Sequence, residues 1–482
     1  MTARNPRTGV HDYAFEPASP DDVRACAERL RQSQPAWAAL PAQARADALR
    51  RWRDEIAARE GALVDALSAD TGRRWITHLV VQGALALLDR WADAGPDLLA
   101  LPGPRPSATR PSVAVETQRV PYGLVGVISP WNFPLTLSLL DTVPALLAGC
   151  AVVLKPSEVT PRFVGPLAEA AGAAGLADVL AVVRGGPETG RAMTDTVDAV
   201  CFTGSVSTGR LVAAAAAARL IPAFLELGGK DPALVLDDAD LDAATDAVLR
   251  SACGVAGQAC QSLERVYVQR PVYDAFLRLL VEKAEAATLS AEDPARGQIG
   301  PLIFEGQART IQAHVDDAVA KGATLHTGGQ VEEIGGGLWC RPTVITGVTD
   351  DMRVMTEETF GPVVPVVPFE TDAEGVALAN GTEFGLSAAV FTRDLDRARG
   401  LAAQIDAGAV GVNDGSLTSV VTDAEKNSFK QSGLGGSRMG AAGLLRFVRT
   451  KAVLVQTARP AGLASQDEAN LAAVQAATRG GG

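Results

Sequence analysis

Two short stretches hold the reactive side chains of this chain: Glu226-Leu-Gly-Gly-Lys230 and Gly257-Gln-Ala-Cys260. A thiol can carry an acyl group and a carboxylate can move protons, the two functions needed to oxidise an aldehyde through a thioester. Glycines beside each let other groups come close. Cys260 differs from Cys150, Cys201 and Cys253, which read as small core residues, because a thiol in a Gly/Gln context can be accessible. Glu226 has a plain alternative as a structural carboxylate paired with Lys230. His11, His78, His314 and His326 fall in no recognisable motif, which disfavours a Cys–His protease.

Four further motifs supply partners for such chemistry. Pro130-Trp-Asn-Phe-Pro134 follows the apolar run 124–128, and a Pro-bracketed turn at a strand end can aim the Asn132 amide at an oxyanion; the alternative is that Asn132 only organises the turn. In Lys155-Pro-Ser-Glu158, Lys155 and Glu158 can bind ribose hydroxyls, and Glu158 would repel a 2′-phosphate, favouring NAD over NADP. There Ser157 or Thr160 equally suits a helix N-cap. Gly204-Ser205 opens an Ala-rich helix whose N-terminus can hold a pyrophosphate, although no GxGxxG is present. Glu358 and Phe360 precede Gly361-Pro362, where the carboxylate can hold a second ribose and the ring can pack on a nicotinamide; a solvated acidic turn is the alternative.

These groups need a scaffold. Residues 20–100 read as helices, with Asp21 or Asp22 capping a run through Val23, Cys26, Ala27 and Leu30, and a second run over 44–70 that Thr71-Gly72 ends. Four prolines in 102–111 mark a crossing segment, and 112–120 alternates like an edge strand or arm. Apolar runs at 124–128, 151–154, 179–183, 199–202, 223–227 and 233–236 have helical stretches between them, which predicts a parallel sheet covered on both faces. A second α/β region spans 239–430, beginning with a helix at 241–249; a final strand covers 451–457 and a surface helix 459–482. The uncharged stretch 120–140 is broken by Pro121, Pro130, Asn132 and Pro134, so it reads as buried strand and turn rather than a membrane span.

With 482 residues the chain exceeds one core and predicts two or three domains. A net charge of −12 without any basic run argues against nucleic acid and anionic membranes as partners. Six scattered cysteines, with no CxxC and no Cys/His pair at zinc spacing, fit a reducing cytoplasm and no metal site.

In this order and spacing the six motifs resemble the aldehyde dehydrogenase superfamily, over residues 15–458, most specifically at Pro130–Pro134, Lys155–Glu158, Glu226–Lys230, Gly257–Cys260 and Glu358–Pro362. The resemblance implies an α/β fold with a Rossmann-like NAD-binding domain (1–102 and 122–228), a catalytic domain (229–448) and oligomerisation strands at 103–121 and 449–458 that build a homodimer or homotetramer, leaving 459–482 as a tail. It implies Cys260 as nucleophile, Glu226 as the base that releases a carboxylic acid, and Asn132 with the Cys260 N–H as oxyanion donors. It further implies NAD contacts from Trp131, Lys155, Ser157, Glu158, Gly204, Ser205, Leu227, Gly228, Glu358 and Phe360. Phe133, Thr136, Leu140, Ala259 and Gln261 would face the substrate, an apolar lining that suggests hydrophobic or aromatic aldehydes rather than semialdehydes. Glu226 favours hydrolysis over acyl transfer to coenzyme A; a catalytically silent protein of this fold would lack such groups. The chain departs from the family pattern at three points. Asp141 stands where many relatives carry Lys, and Gly149-Cys150 stands where many read Gly-Asn. Asn427-Ser428-Phe429-Lys430 replaces Gly-Gly-x-Lys, and no Asp or Glu follows between Gly433 and Leu444 to serve a proton path.

Overall fold

A computed structural model describes residues 1–460, 462 and 463. The helix expected over 459–482 lies outside the described residues except at its start.

The N-terminal third is helical as its periodicity predicts. The first helix, Pro20–Ala39, is capped by Ser19, not by Asp21 or Asp22: Ser19 Oγ accepts from the Asp22 N–H, and the Asp22 carboxylate accepts from the Ser19 N–H at 2.9 Å. This reciprocal capping box uses Asp22 at the third helical position. The run over 44–70 divides into Ala42–Ala58 and Glu60–Thr71, interrupted at Arg59 (φ −110°, ψ 16°). Gly72, at φ 69°, ends the second helix, and Arg74–Leu99 follows.

Two sheets organise the rest. The first runs in the order Gly433–Leu434, Ala223–Glu226, Ala199–Thr203, Leu124–Ile128, Ala151–Lys155, Leu180–Val182; all pairs are parallel except the first, where Gly433 opposes Glu226. The stretch 120–140 is strand, turn and then the first part of a helix, Pro134–Ala148, which Pro134 opens at its first turn. The run at 233–236 does not join this sheet. It forms Asp231–Val235 inside the second sheet, ordered Thr324–Leu325, Thr343–Thr346, Val363–Phe369, Leu263–Gln269, Asp231–Val235, Ala388–Phe391, Val410–Val412. Buried parallel strands look alike in sequence, so the run itself does not reveal its sheet. Each sheet carries its own hydrophobic core, and the chain crosses between them in the four residues separating Glu226 from Asp231.

A third sheet stands apart. Val113–Pro121 and Val448–Gln456 pair antiparallel along all nine positions, with Arg105–Pro106 on the other side. Among the described residues no helix is long and apolar enough to cross a membrane.

Candidate active site

The carboxyl ends of the first sheet's parallel strands open on a cleft of about 520 Å³, open solvent included. Trp131 and Asn132 reach it from the turn after Leu124–Ile128, Gly204 and Ser205 from the end of Ala199–Thr203, and Leu227 and Gly228 from the end of Ala223–Glu226. Cys260, Glu358 and Phe360 close it from the second sheet's side. Pro130 and Thr203, from two of these motifs, also line it, as do Leu137 and Gln307, which no motif announces.

Cys260 is half-buried at the end of a strained loop. Val255, Ala256 and Gly257 all have φ between 51° and 70°. A Cβ on Gly257 would fall 2.2 Å from the Gly361 carbonyl carbon, so this glycine is a steric requirement. Gln258, fully buried, fixes the loop: its amide donates to the carbonyls of Val255 and Pro301 and its oxygen accepts from the Ile303 N–H. Asn132 Nδ2 donates to the Gln258 carbonyl at 3.0 Å, so the amide is held two residues before the thiol. Beneath it, the buried Arg73 guanidinium donates to the Asn132 carbonyl at 2.6 Å and lies over the Phe133 ring.

Electrostatically the thiol is flanked by three carboxyl groups and one ammonium. Burial pushes Cys260 up to about 12, and Glu358, Asp231 and Glu226 push the same way, while the Lys426 ammonium opposes them. Glu226 is not paired with Lys230. That lysine is bonded to Glu264 at 2.6 Å and to Thr359 at 3.0 Å, deep inside the protein. Glu226 instead accepts from the Ser428 hydroxyl at 2.7 Å.

Glu264 also accepts from the N–H groups of Thr359 and Phe360, clamping the 358–360 turn, where Phe360 adopts φ 50°. Glu358 accepts from the Gly229 N–H at 3.1 Å, and a Cβ on Gly228 would come within 2.4 Å of its carboxylate. Burial, then the charge of Glu264, pushes Glu358 up to about 8. The Phe360 and Trp131 rings meet edge to face at 5.4 Å.

The expected ribose group lies apart from the thiol, beyond the Ala151–Lys155 strand: Lys155 Nζ is 3.3 Å from Glu158, and Ser157 Oγ accepts from the Val159 N–H. Ser205 caps the helix Val206–Ala218 by accepting from the Thr208 N–H. None of Phe133, Thr136, Leu140, Ala259 and Gln261 lines the cleft. Leu140 is buried in the first core, and Gln261 accepts from Thr418 at 2.8 Å. Among the described residues no group of His, Cys, Asp and Glu side chains could hold a metal.

The aldehyde dehydrogenase family model matches residues 1–453. The chain belongs to the aldehyde dehydrogenase family. It is therefore an oxidoreductase that acts on aldehydes. It is 40% identical over 440 residues, covering 90% of this chain and 84% of the other, to the "putative succinate-semialdehyde dehydrogenase [NADP(+)]" of Mycolicibacterium smegmatis. It is 39% identical to the betaine aldehyde dehydrogenase of Cereibacter sphaeroides, covering 93% and 92% of the two chains. Among solved structures, the "putative aldehyde dehydrogenase" of Anabaena variabilis superposes with a TM-score of 0.94 at 51% identity, covering 96% of this chain and 99% of that one.

Within this aldehyde dehydrogenase two of the departures in sequence meet in space. Asp141 is bonded to Arg438 at 2.6 Å and to Arg446, all three side chains being almost fully buried. The segment lacking the family carboxylate thus supplies a cation, and the position lacking the family lysine supplies the matching anion.

Proposed function

We propose that this enzyme oxidises an aldehyde to the free carboxylic acid with NAD⁺, through a thioester on Cys260 that Glu226 hydrolyses. The observation that carries this reading is the Asn132 amide fixed on the Gln258 carbonyl beside the thiol, with Glu226 at the end of a strand two places along the same sheet. An amide nitrogen has two N–H groups; one holds the loop and the other is left for an oxyanion.

The residues fit a dinucleotide. A capped helix N-terminus at Ser205, a carboxylate at Glu358 and the glycine approach at Gly228 surround one cleft. When bound, the nicotinamide accepts the hydride. The chain's own groups do the rest. Cys260 Sγ bonds to the aldehyde carbon while its proton passes to Glu226. Asn132 Nδ2 and the Cys260 N–H bind the resulting oxyanion until hydride loss leaves a thioester. Glu226 releases that proton to solvent and, as a carboxylate again, takes one from water; the water oxygen bonds to the acyl carbon, the C–S bond breaks with Cys260 leaving as thiolate, and the acid departs. Trp131, Leu227 and Phe360 would exclude bulk water, and Lys155, Ser157 and Glu158 would hold the adenosine ribose, Glu158 disfavouring a 2′-phosphate. The 113–121 and 448–456 strands would join subunits into a homodimer or homotetramer.

Relatives named for succinate semialdehyde and betaine aldehyde are named for substrates of opposite charge, so family likeness does not choose the substrate, and the first of them is named for NADP⁺. Steady-state oxidation of an aldehyde panel with NAD⁺, NADP⁺ and added coenzyme A tests the proposal. Turnover with NAD⁺ alone, abolished in Cys260→Ala, is expected. A strict requirement for coenzyme A would overturn the hydrolytic step, and strict NADP⁺ use would overturn the role of Glu158.

A further inference from the structure

We propose that Lys426 selects aldehydes bearing a carboxylate at the end remote from the aldehyde carbon. The inference rests on the roles given above to Cys260 and Glu226, and it departs from the apolar preference that Phe133, Thr136 and Leu140 suggest in the sequence.

The segment 418–428 touches the reactive groups at both ends. Thr418 Oγ1 donates to Gln261, the residue after the nucleophile, at 2.8 Å. Ser428 donates to Glu226 at 2.7 Å. Lys426 lies between these contacts. Its backbone N–H donates to Ser437 Oγ and its Nζ to the Thr418 carbonyl at 3.3 Å. The ammonium is therefore bracketed by the neighbour of the thiol and the partner of the base, next to the groups that handle the aldehyde carbon.

No carboxylate lies within ion-pair distance of Lys426 among the described residues. An ammonium has three N–H donors, and the Thr418 carbonyl uses one. The acids that act on it are Glu226, occupied by Ser428; the Cys260 thiol; and Asp231, occupied by Ser387. Burial pushes Asp231 up to about 7, which weakens it as a counter-charge at neutral pH. Arg438 adds positive potential. A partly desolvated cation with free donors recognises an anion and repels a cationic substrate.

The test compares kcat/KM for 4-oxobutanoate, 5-oxopentanoate, butanal and trimethylammonioacetaldehyde in wild type, Lys426→Met and Lys426→Arg. Wild type should favour one of the two carboxy-aldehydes over butanal at least about tenfold and turn over the cationic aldehyde worst, since a hydrogen bond to a charged group is worth about 10–100-fold. Lys426→Met should erase most of that ratio, mainly through KM, and Lys426→Arg should keep it. Two results would overturn the proposal: wild type preferring butanal, or Lys426→Met lowering all substrates in equal proportion, which is what a purely structural or thiolate-stabilising lysine predicts. Failure of wild type to oxidise any aldehyde with NAD⁺ or NADP⁺ would instead sink the underlying assignment of Cys260 and Glu226.

Discussion

Ser428 donates its hydroxyl to Glu226 at 2.7 Å across 202 residues of sequence. Pairing of Gly433 with Glu226 on adjacent antiparallel strands brings the two segments together. A hydroxyl bonded to a carboxylate is a charge-assisted contact that fixes the base in one orientation. Ser428→Ala should therefore slow both steps that pass a proton to Glu226, thiol addition and thioester hydrolysis, about tenfold, since bonds to charged groups contribute roughly 1.5–3 kcal/mol. Stopped-flow NADH formation should then show the first turnover and the steady state slowed together. An unchanged progress curve would mean that Ser428 has no hold on the base.

The Asp141 cluster makes a prediction about stability. Burial acts to raise the Asp141 carboxyl, but Arg438 and Arg446 outweigh it and hold the group below its ordinary value. An acid with a depressed native pKa stabilises the fold above the ordinary carboxylate range, and this contribution is lost as pH falls toward the native value. Asp141→Asn should cost about 3–5 kcal/mol at pH 7, because two buried guanidinium groups lose their anion. Thermal unfolding followed at pH 7 and in acid should show the variant's deficit shrinking as pH falls below about 4. A constant deficit would assign the loss to packing rather than charge.

Val448–Gln456 is the edge of its three-stranded sheet, and Leu454 on it is 66% exposed. An edge strand with unpaired backbone groups and an exposed apolar side chain needs a cover. A second copy is the proposed cover, so light scattering should give at least twice the 49.9 kDa chain mass, and Leu454→Lys should shift the population toward monomer. A wild-type monomer would remove this role from the arm.

Much of this architecture is legible in sequence because buried parallel strands are continuous apolar runs and their ends carry the motif residues. The missing information is spatial. Arg59 interrupts a helix without glycine or proline, and the run at 233–236 carries no mark of which sheet it joins. Ser428 and Lys426 come near Glu226 and Cys260 only through strand pairing at Gly433. Asp141 and the absent late carboxylate are visible as separate departures, but their union through Arg438 exists only in the folded chain.

Glu358 links cofactor affinity to pH. Burial beside Glu264 pushes its carboxyl up to about 8, so at neutral pH the group is largely protonated. A carboxylate accepts two hydrogen bonds from a ribose diol, whereas the protonated form loses acceptor capacity. The dissociation constant for NADH should therefore fall as pH rises through about 8, by roughly tenfold if one charge-assisted bond is gained. Fluorescence titrations of NADH between pH 6.5 and 9.5 measure this directly. Glu358→Gln should bind more weakly at high pH and lack the inflection. Persistence of the inflection in that variant would assign the titration to another group and leave Glu358 without a part in holding the ribose.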